Sequence, residues 1–277
     1  MKRVNKVMFQ GSTKAIKLRL LLTNRCTASC DYCHNEGQDK QAARSRLSLQ
    51  TIRDILDNLA AAGQRLDEIV LSGGEPTLHS QLSEVAALCR VHTDHLSMDS
   101  HLGHPKLLAA ALPHLDELKI HLDSFDAAEQ QRSMGIALAP VLESIDLAQK
   151  FPIQLCINHP FMAVESTRHF IRKSAALGIN CKIIELFEDE RSVPLAALQL
   201  ERMGYRWQRD GVWSNAAGHQ LFTKRCGAEH NVDHGSLFVG ADGIRYAVDG
   251  PVVGDAERFA EFLAPSAQGV LDRCEAA

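Results

Sequence analysis

The stretch I-K-L-R-L-L-L-T-N-R-C-T-A-S-C-D-Y-C, residues 16–33, decides the fold of this chain. Its first seven residues are β-rich and mostly apolar, which predicts a buried strand. Cys26, Cys30 and Cys33 follow that strand in a C-x-x-x-C-x-x-C loop. A loop that leaves a strand end can place three thiolates around one face of an iron–sulfur cluster, whereas structural zinc usually takes four ligands from two separated pairs. We therefore interpret the loop as a cluster site, with a partial zinc site or three unrelated core cysteines as the alternatives.

From about residue 16 to residue 190, the sequence alternates short β-rich runs with amphipathic stretches. Repeated βα units of this kind predict a parallel sheet. The predicted strands lie near residues 16–22, 67–71, 94–98, 116–122, 152–158 and 180–186, and the predicted helices near 48–62, 79–91, 104–112, 138–150 and 165–177. Six units are too few for a closed eightfold barrel, so we predict an α/β fold with a partial (β/α)6 barrel over residues 14–190. Such sheets bind ligands at the carboxyl ends of their strands.

After residue 190 the sequence changes character, with glycine, aspartate and aromatic residues at short intervals. Asp-Gly pairs at 210–211 and 242–243 are typical of turns between antiparallel strands. We predict a small carboxyl-terminal β-rich extension over residues 191–277 that covers the barrel opening, with a closing helix at 255–263.

Composition and charge exclude several functional classes. The 277 residues carry 30 Lys and Arg against 34 Asp and Glu, a net charge of -4, with 10 Phe, 3 Tyr and 2 Trp. This balance would repel a phosphate backbone and gives no base-stacking platform, so no extended nucleic-acid partner is expected. The sequence shows no signal-like apolar run and no stretch of about 18 apolar residues, which predicts a cytoplasmic protein with no membrane partner. Its eight cysteines should then stay reduced, which favours metal binding or catalysis over disulfides.

A second motif, L-S-G-G-E-P-T-L at residues 71–78, follows at the end of the next predicted strand. Together with the cysteine loop it resembles the radical S-adenosylmethionine (SAM) superfamily, in which three cysteines hold a [4Fe–4S] cluster and SAM chelates the fourth iron. The resemblance implies that the metal ligands and catalytic residues are Cys26, Cys30 and Cys33. It also implies that SAM is bound by Gly73, Gly74 and Glu75. Glycines permit close backbone approach to a ligand, and a carboxylate can receive the ammonium group of SAM.

Further stretches narrow the resemblance to the subgroup of GTP 3′,8-cyclases of molybdenum cofactor biosynthesis. They are K-L-R-L-L-L-T-N-R-C at 17–26, K-I-H-L-D-S-F-D at 119–126, C-I-N at 156–158 and I-I-E-L-F at 183–187. The resemblance covers about residues 14–190.

Carried over position by position, this resemblance supplies additional contacts. The further SAM contacts that it implies are Tyr32, His121 and Phe187. Two carboxylates near predicted strand ends, Asp99 and Asp123, are expected to orient SAM hydroxyls or to cap helices. The expected substrate contacts are Arg19, Cys156 and Asn158.

Departures from the subgroup change the expected substrate. Arg19 is retained, but Val70 and Cys156 stand where the subgroup has an arginine and a lysine, and Asp99 replaces a threonine. A triphosphate needs positive charge placed against several oxygens. The loss of two cations and the gain of an anion therefore argue against GTP.

The carboxyl-terminal third departs from the subgroup as well. Val248 stands where the third cysteine of the subgroup's auxiliary cluster is expected, so we expect no such cluster. Cys226, His230 and His234 recur every four residues and would project from one face of a helix, as ligands of a second metal would. A solvated polar segment that happens to contain histidines is the alternative.

The function that these motifs imply is reductive cleavage of SAM. In the superfamily, the 5′-deoxyadenosyl radical formed in this way abstracts a hydrogen atom from the substrate, here expected to be a small nucleoside or sugar-like metabolite of a biosynthetic pathway. An external one-electron donor such as flavodoxin or ferredoxin is the expected partner. Two alternatives stay open: a peptide-modifying maturase of the same superfamily, and an electron-transfer or structural iron–sulfur protein.

Overall fold

The computed structural model describes residues 16–33, 44–186, 191–209, 211–224, 232–242 and 245–251. Every strand predicted in the amino-terminal part is present, with bounds that differ by a few residues. These strands are β1 Ile16–Leu21, β2 Leu66–Ser72, β3 His95–Ser100, β4 Glu117–His121, β5 Gln154–Pro160 and β6 Asn180–Ile184. Each pairs in parallel with the next, which confirms the predicted α/β architecture.

The helices follow the predicted pattern with two additions. They are α1 Leu49–Ala61, α2 Leu82–Arg90, α3 Pro105–Leu108, α4 Ala127–Met134, α5 Leu138–Ala148, α6 Val164–Ala176 and α7 Ser192–Arg202. Helix α3 is shorter than predicted and gives way to a single 3₁₀ turn at Leu112–His114, where Pro113 lacks the amide hydrogen that an α-helix needs. Within the described ranges, no helix is long and apolar enough to cross a membrane.

The sequence did not predict helix α4, because most of its residues are polar and it lacks an apolar repeat. Its ends nevertheless carry local signals. The side chain of Asp126 accepts a hydrogen bond from the amide of Glu129, and Gly135 ends the helix in the left-handed region with φ 70°. An aspartate cap followed by glycine after one or two turns is a recognisable helix pattern.

The strands after residue 190 lengthen the sheet at both edges. They are β7 Arg206–Arg209, β8 Val212–Ser214, β9 Gln220–Lys224, β10 Val232–Val239 and β11 Arg245–Pro251. Strand β10 pairs in parallel with β1, and β9 pairs in parallel with β6. The predicted antiparallel hairpins are present, because β7 pairs antiparallel with β8 and β10 pairs antiparallel with β11. The division of the chain at residue 190 stays a prediction, and the closing helix at 255–263 lies outside the described residues.

Side chains alternate between two faces of the sheet. One face is apolar and packs into the hydrophobic core with the helices; its residues include Leu18, Leu20, Ile69, Leu71, Leu96, Met98, Leu118, Ile120, Ile157, Cys181 and Ile183. The other, which we call the polar face, carries Lys17, Arg19, Glu68, Ser97, Asp99, Lys119, Cys156, Asn158 and Lys182. A sheet with one apolar and one polar face buries its apolar side and leaves the other for ligands.

Candidate cluster and cofactor site

The cysteine loop leaves the carboxyl end of β1 and brings three free cysteines together. Cys26 is exposed, whereas Cys30 and Cys33 are half-buried. Burial raises the pKa of Cys30 to about 12, and the nearby charge of Asp123 adds to this rise. Because iron binds the thiolate, loading of a cluster must displace the thiol protons.

The stretch L-S-G-G-E-P-T-L at residues 71–78, which we call the glycine motif, contacts the cysteine loop from one side through backbone hydrogen bonds. The amide of Gly74 donates to the carbonyl of Thr23 at 2.7 Å, and the amide of Glu75 donates to the carbonyl of Arg25 at 2.7 Å. A Cβ at Gly73 would lie 2.5 Å from the carbonyl oxygen of Thr23, and one at Gly74 would lie 2.2 Å from that of Arg25. Both glycines therefore permit close approach to the chain that leads into Cys26.

The carboxylate of Glu75 is fully buried among protein donors. Its Oε1 accepts from the Thr77 amide at 3.0 Å, from the Thr77 hydroxyl at 2.7 Å and from the Ser100 hydroxyl at 2.8 Å. Its Oε2 accepts from the amide of His101 at 3.0 Å. The sequence predicts that this side chain receives the SAM ammonium, and that contact stays a prediction. The observed contacts give the carboxylate a structural role that the sequence does not reveal.

His101 connects the glycine motif to the cysteine loop. The amide of Gly103 donates to its Nδ1 at 3.0 Å, so Nδ1 is an acceptor and the ring proton resides on Nε2. That Nε2 lies 3.3 Å from Glu75 Oε2 and 3.2 Å from Thr27 Oγ1. The Thr27 hydroxyl lies 3.0 Å from Nε2 of His104. A hydrogen-bonded chain therefore runs from Glu75 to the residue that follows Cys26.

Replacing Glu75 by glutamine is expected to lower the free energy of unfolding by about 2–4 kcal/mol, because the amide NH₂ would oppose buried donors. Urea denaturation under anaerobic conditions measures this loss. The matched control is Glu84→Gln, on an exposed part of the first turn of α2, which should change the free energy by about 0.5 kcal/mol or less. Unchanged stability of Glu75→Gln, with loss of SAM binding, would contradict the structural role and favour a direct contact with SAM.

Helix α4 supports the cysteine loop from a second side. The amide of Ser29 donates to the carbonyl of Met134 at 2.8 Å. A Cβ at Gly135 would lie 2.4 Å from the Ser29 hydroxyl oxygen, so the glycine lets the loop sit directly on the helix end. The sequence reasoning missed this contact together with the helix.

A third contact joins the cysteine loop to the end of β4. The hydroxyl of Tyr32 donates to Oδ1 of Asp123 and lies 2.9 Å from Nε2 of His121. The structure thus brings together Tyr32 and His121, which the resemblance places around SAM, and Asp123, which was expected to orient SAM hydroxyls or to cap a helix. Phe187, the remaining SAM contact that the resemblance implies, lies outside the described residues.

Arg19 and Asp99, predicted to contact substrate and SAM, are bound to each other. Nη1 of Arg19 lies 2.7 Å from Oδ2 of Asp99 and donates to the Ser72 hydroxyl at 3.1 Å. Burial alone would raise the pKa of Asp99, but the charges of Arg19 and Lys119 and the hydrogen bond from Arg19 together outweigh burial, and the pKa is lowered. The charge of Arg19 is therefore largely neutralised within the protein.

Three buried acceptors on neighbouring strands have no hydrogen-bond partner among the residues described. They are Oδ1 of Asp99 on β3, Oδ2 of Asp123 just after β4 and Oδ1 of Asn158 on β5. An unsatisfied buried acceptor costs about 1–3 kcal/mol, so a ligand with hydroxyl or amine donors would be stabilised here. Three thiols on one short loop, close enough to influence one another electrostatically, together with nearby unsatisfied acceptors fit a cluster and a polar cofactor such as SAM.

The structure does not support the helical arrangement expected for a second metal site. Cys226 and His230 lie outside the described residues, and His234 belongs to β10, Val232–Val239. Because residues 232–239 form a strand, the idea that Cys226, His230 and His234 share one helix face is wrong.

An open parallel sheet with a three-cysteine loop at the carboxyl end of its first strand defines a class of cluster-dependent enzymes. Residues 20–172 match the model of the Radical SAM superfamily, and the chain belongs to this superfamily. Membership implies SAM and an iron–sulfur cluster as cofactors.

Among curated relatives, a probable GTP 3′,8-cyclase of Thermococcus kodakarensis is 32% identical over 143 residues, which are 50% of this chain and 46% of the relative. The GTP 3′,8-cyclase of Synechococcus elongatus is 34% identical over 123 residues, 43% of this chain and 37% of the relative.

The chain thus spans less than half the length of these two curated relatives. Among solved structures, Streptococcus suis SuiB bound to S-adenosylmethionine superposes with a TM-score of 0.63 at 11% identity, covering 92% of this chain and 67% of SuiB. The structure of anSMEcpe with bound AdoMet gives a TM-score of 0.63 at 12% identity, covering 93% of this chain and 82% of anSMEcpe. These likenesses confirm the fold.

Proposed function

We propose that the protein is a radical SAM enzyme that holds a [4Fe–4S] cluster on Cys26, Cys30 and Cys33 and reductively cleaves SAM to abstract hydrogen from a small-molecule substrate. The observation that carries this proposal is the cysteine loop, fixed to the glycine motif, to α4 and to the end of β4. It lies at the carboxyl end of a parallel sheet, where such folds bind ligands.

When bound, the cluster supplies the electron, and SAM supplies the group that abstracts the hydrogen atom. The residues of this chain bind the cluster, SAM and the substrate and orient them relative to one another. The three unsatisfied acceptors of Asp99, Asp123 and Asn158 offer hydrogen bonds to hydroxyl and amine groups of SAM or substrate. Because Cys26 is exposed, an external donor such as flavodoxin or ferredoxin can approach the cluster from solvent. A cytoplasmic location accords with such a donor.

The substrate is proposed to be smaller or less charged than GTP, a nucleoside or sugar-like metabolite. Arg19, a cation retained from the subgroup pattern, is paired with Asp99. The other two positions where the subgroup carries cations are Val70, fully buried, and Cys156, nearly so. Among the described residues of the polar face, few cations without an ion pair remain for a triphosphate.

After anaerobic cluster reconstitution, incubation with SAM and dithionite is expected to release 5′-deoxyadenosine even without substrate, in about molar equivalence to enzyme over hours. Mass spectrometry of the quenched reaction measures it. Addition of GTP should neither raise the yield nor give a cyclised product.

Three results would contradict separate parts of this proposal. A cluster-loaded protein that forms no 5′-deoxyadenosine would be an electron-transfer or structural iron–sulfur protein. Conversion of GTP would leave the radical mechanism intact and refute the smaller substrate. Modification of an added peptide would favour the maturase alternative.

A further inference from the structure

Lys182, on β6, is the third lysine of the polar face and is not part of the cofactor site described above. Cys181 and Ile183, on either side of Lys182, are fully buried in the core. Since side chains alternate along a strand, Lys182 lies on the opposite, polar face. The sheet register places it beside Asn158 on β5 and Phe222 on β9.

Lys182 differs from the other cations of the polar face because each of them forms an ion pair with a carboxylate. Nζ of Lys17 lies 2.8 Å from Glu68, Nη1 of Arg19 lies 2.7 Å from Asp99, and Nζ of Lys119 lies 2.7 Å from Glu68. Lys182 is half-buried, and the part of the chain that is described offers it no hydrogen bond or ion pair. A partly desolvated ammonium without a counterion attracts an anion strongly.

Cys156, on the neighbouring strand β5, lies on the polar face near Lys182 in the sheet register. Burial raises the pKa of the Cys156 thiol, and Lys182 exerts the largest opposing effect among nearby charges. In the register of β5 and β6, Cys156 pairs with Asn180 and Asn158 pairs with Lys182, so Cys156 and Lys182 lie on the same face, one side-chain position apart along the strands. This places Lys182 within the region where the sequence predicts substrate contacts.

Asn158 adds a second requirement for the ligand. Its Oδ1 is buried and accepts no hydrogen bond from the described residues. An amide oxygen of this kind needs a hydroxyl or amine donor. The two neighbouring side chains together therefore require an anion and a hydrogen-bond donor.

We propose that Lys182 and Asn158 form a substrate subsite that binds one anionic oxygen group, a carboxylate or a phosphate, next to a hydroxyl or amino group of the same molecule. A single lysine suits one such group, in contrast to the several cations that a triphosphate needs. The subsite rests on the proposed function, because it assigns the polar face to the substrate of the radical reaction.

Alkylation of Cys156 tests the subsite with probes of known charge. Iodoacetate carries a carboxylate and iodoacetamide is neutral, so the ratio of their rates at one thiol reports the local attraction for anions. The assay uses the anaerobic, cluster-loaded protein, and peptide mass spectrometry isolates the modification of Cys156. The reference is the same ratio in urea-unfolded protein, which removes the intrinsic difference between the reagents and any effect of thiol pKa.

In the native protein we expect the iodoacetate-to-iodoacetamide ratio to exceed the unfolded reference about tenfold. Lys182→Met should return the ratio to the reference, and Lys182→Arg should retain it. The matched control is Lys173→Met, on the exposed side of α6, which should leave the native ratio unchanged. Acetate and inorganic phosphate should each slow alkylation, and the one effective at lower concentration identifies the preferred anion.

Three outcomes would overturn the subsite: a native ratio at the reference, a ratio insensitive to Lys182→Met, or no competition by either anion. Failure of both reagents to reach Cys156 would overturn it too, because the face would then be closed to small oxyanions. The assay needs no turnover of SAM. A protein that prefers iodoacetate yet forms no 5′-deoxyadenosine would refute the proposed function alone.

Discussion

Replacing Cys30 by alanine is expected to abolish cluster binding and to lower the yield of 5′-deoxyadenosine about a thousandfold, to the level of cluster-free protein. Cys30 is half-buried, packs against the hydrophobic core and lies near Asp123. With two thiolates left, the loop cannot hold three irons of a cluster. Iron and sulfide analysis after reconstitution, together with the SAM cleavage assay, measures both effects.

The matched control for this variant is Cys89→Ala, since Cys89 is fully buried in α2 and lies among apolar side chains. Removal of its thiol should cost about 1–2 kcal/mol of stability and leave the iron content unchanged. Full cluster loading of Cys30→Ala would show that another residue completes the ligand set, and would refute the assignment of the three cysteines.

Replacing Gly74 by alanine is expected to have the next largest effect, a loss of about 1–3 kcal/mol in stability and about a hundredfold in SAM cleavage. The new Cβ would lie 2.2 Å from the carbonyl oxygen of Arg25 and 2.6 Å from its carbonyl carbon. Both are backbone atoms, and the amides of Gly74 and Glu75 are bonded to the same segment. The clash therefore displaces the chain leading into Cys26. Urea denaturation and the cleavage assay measure the two losses.

Gly63→Ala provides the comparison for this variant. Gly63 has φ +68°, and a Cβ there would meet no heavy atom within 4 Å. The substitution should cost about 1–2 kcal/mol of backbone strain and leave SAM cleavage unchanged. If Gly74→Ala cleaves SAM at the rate of the unaltered protein, close backbone approach is not what positions the cysteine loop.

The parts of the fold that the sequence predicted correctly depend on local signals. Strand β1 follows from a β-rich apolar run, and the hairpin between β7 and β8 follows from the Asp-Gly pair at 210–211. The cysteine loop follows from its spacing alone. In each case, residues within a few positions of each other contain all the information needed.

The parts that the sequence did not predict depend on contacts between distant residues. The pairing of Arg19 with Asp99 joins strands β1 and β3, and nothing near Arg19 in the sequence indicates its partner. The contacts of the buried Glu75 with Ser100 and His101 likewise span about 25 residues. A carboxylate that looks available for a ligand in the sequence is thus already satisfied by the protein.

The parallel pairing of β1 with β10, in which Lys17 faces Ser236, has a consequence for biosynthesis. A ribosome that adds about 5–20 residues per second needs roughly 10–45 s to make the chain between these two strands. Throughout that interval the nascent β1 has one edge without its native neighbour, and such an edge can pair with other chains. Yield in cells should therefore depend on chaperones that shield the amino-terminal half of the polypeptide until translation has passed residue 239.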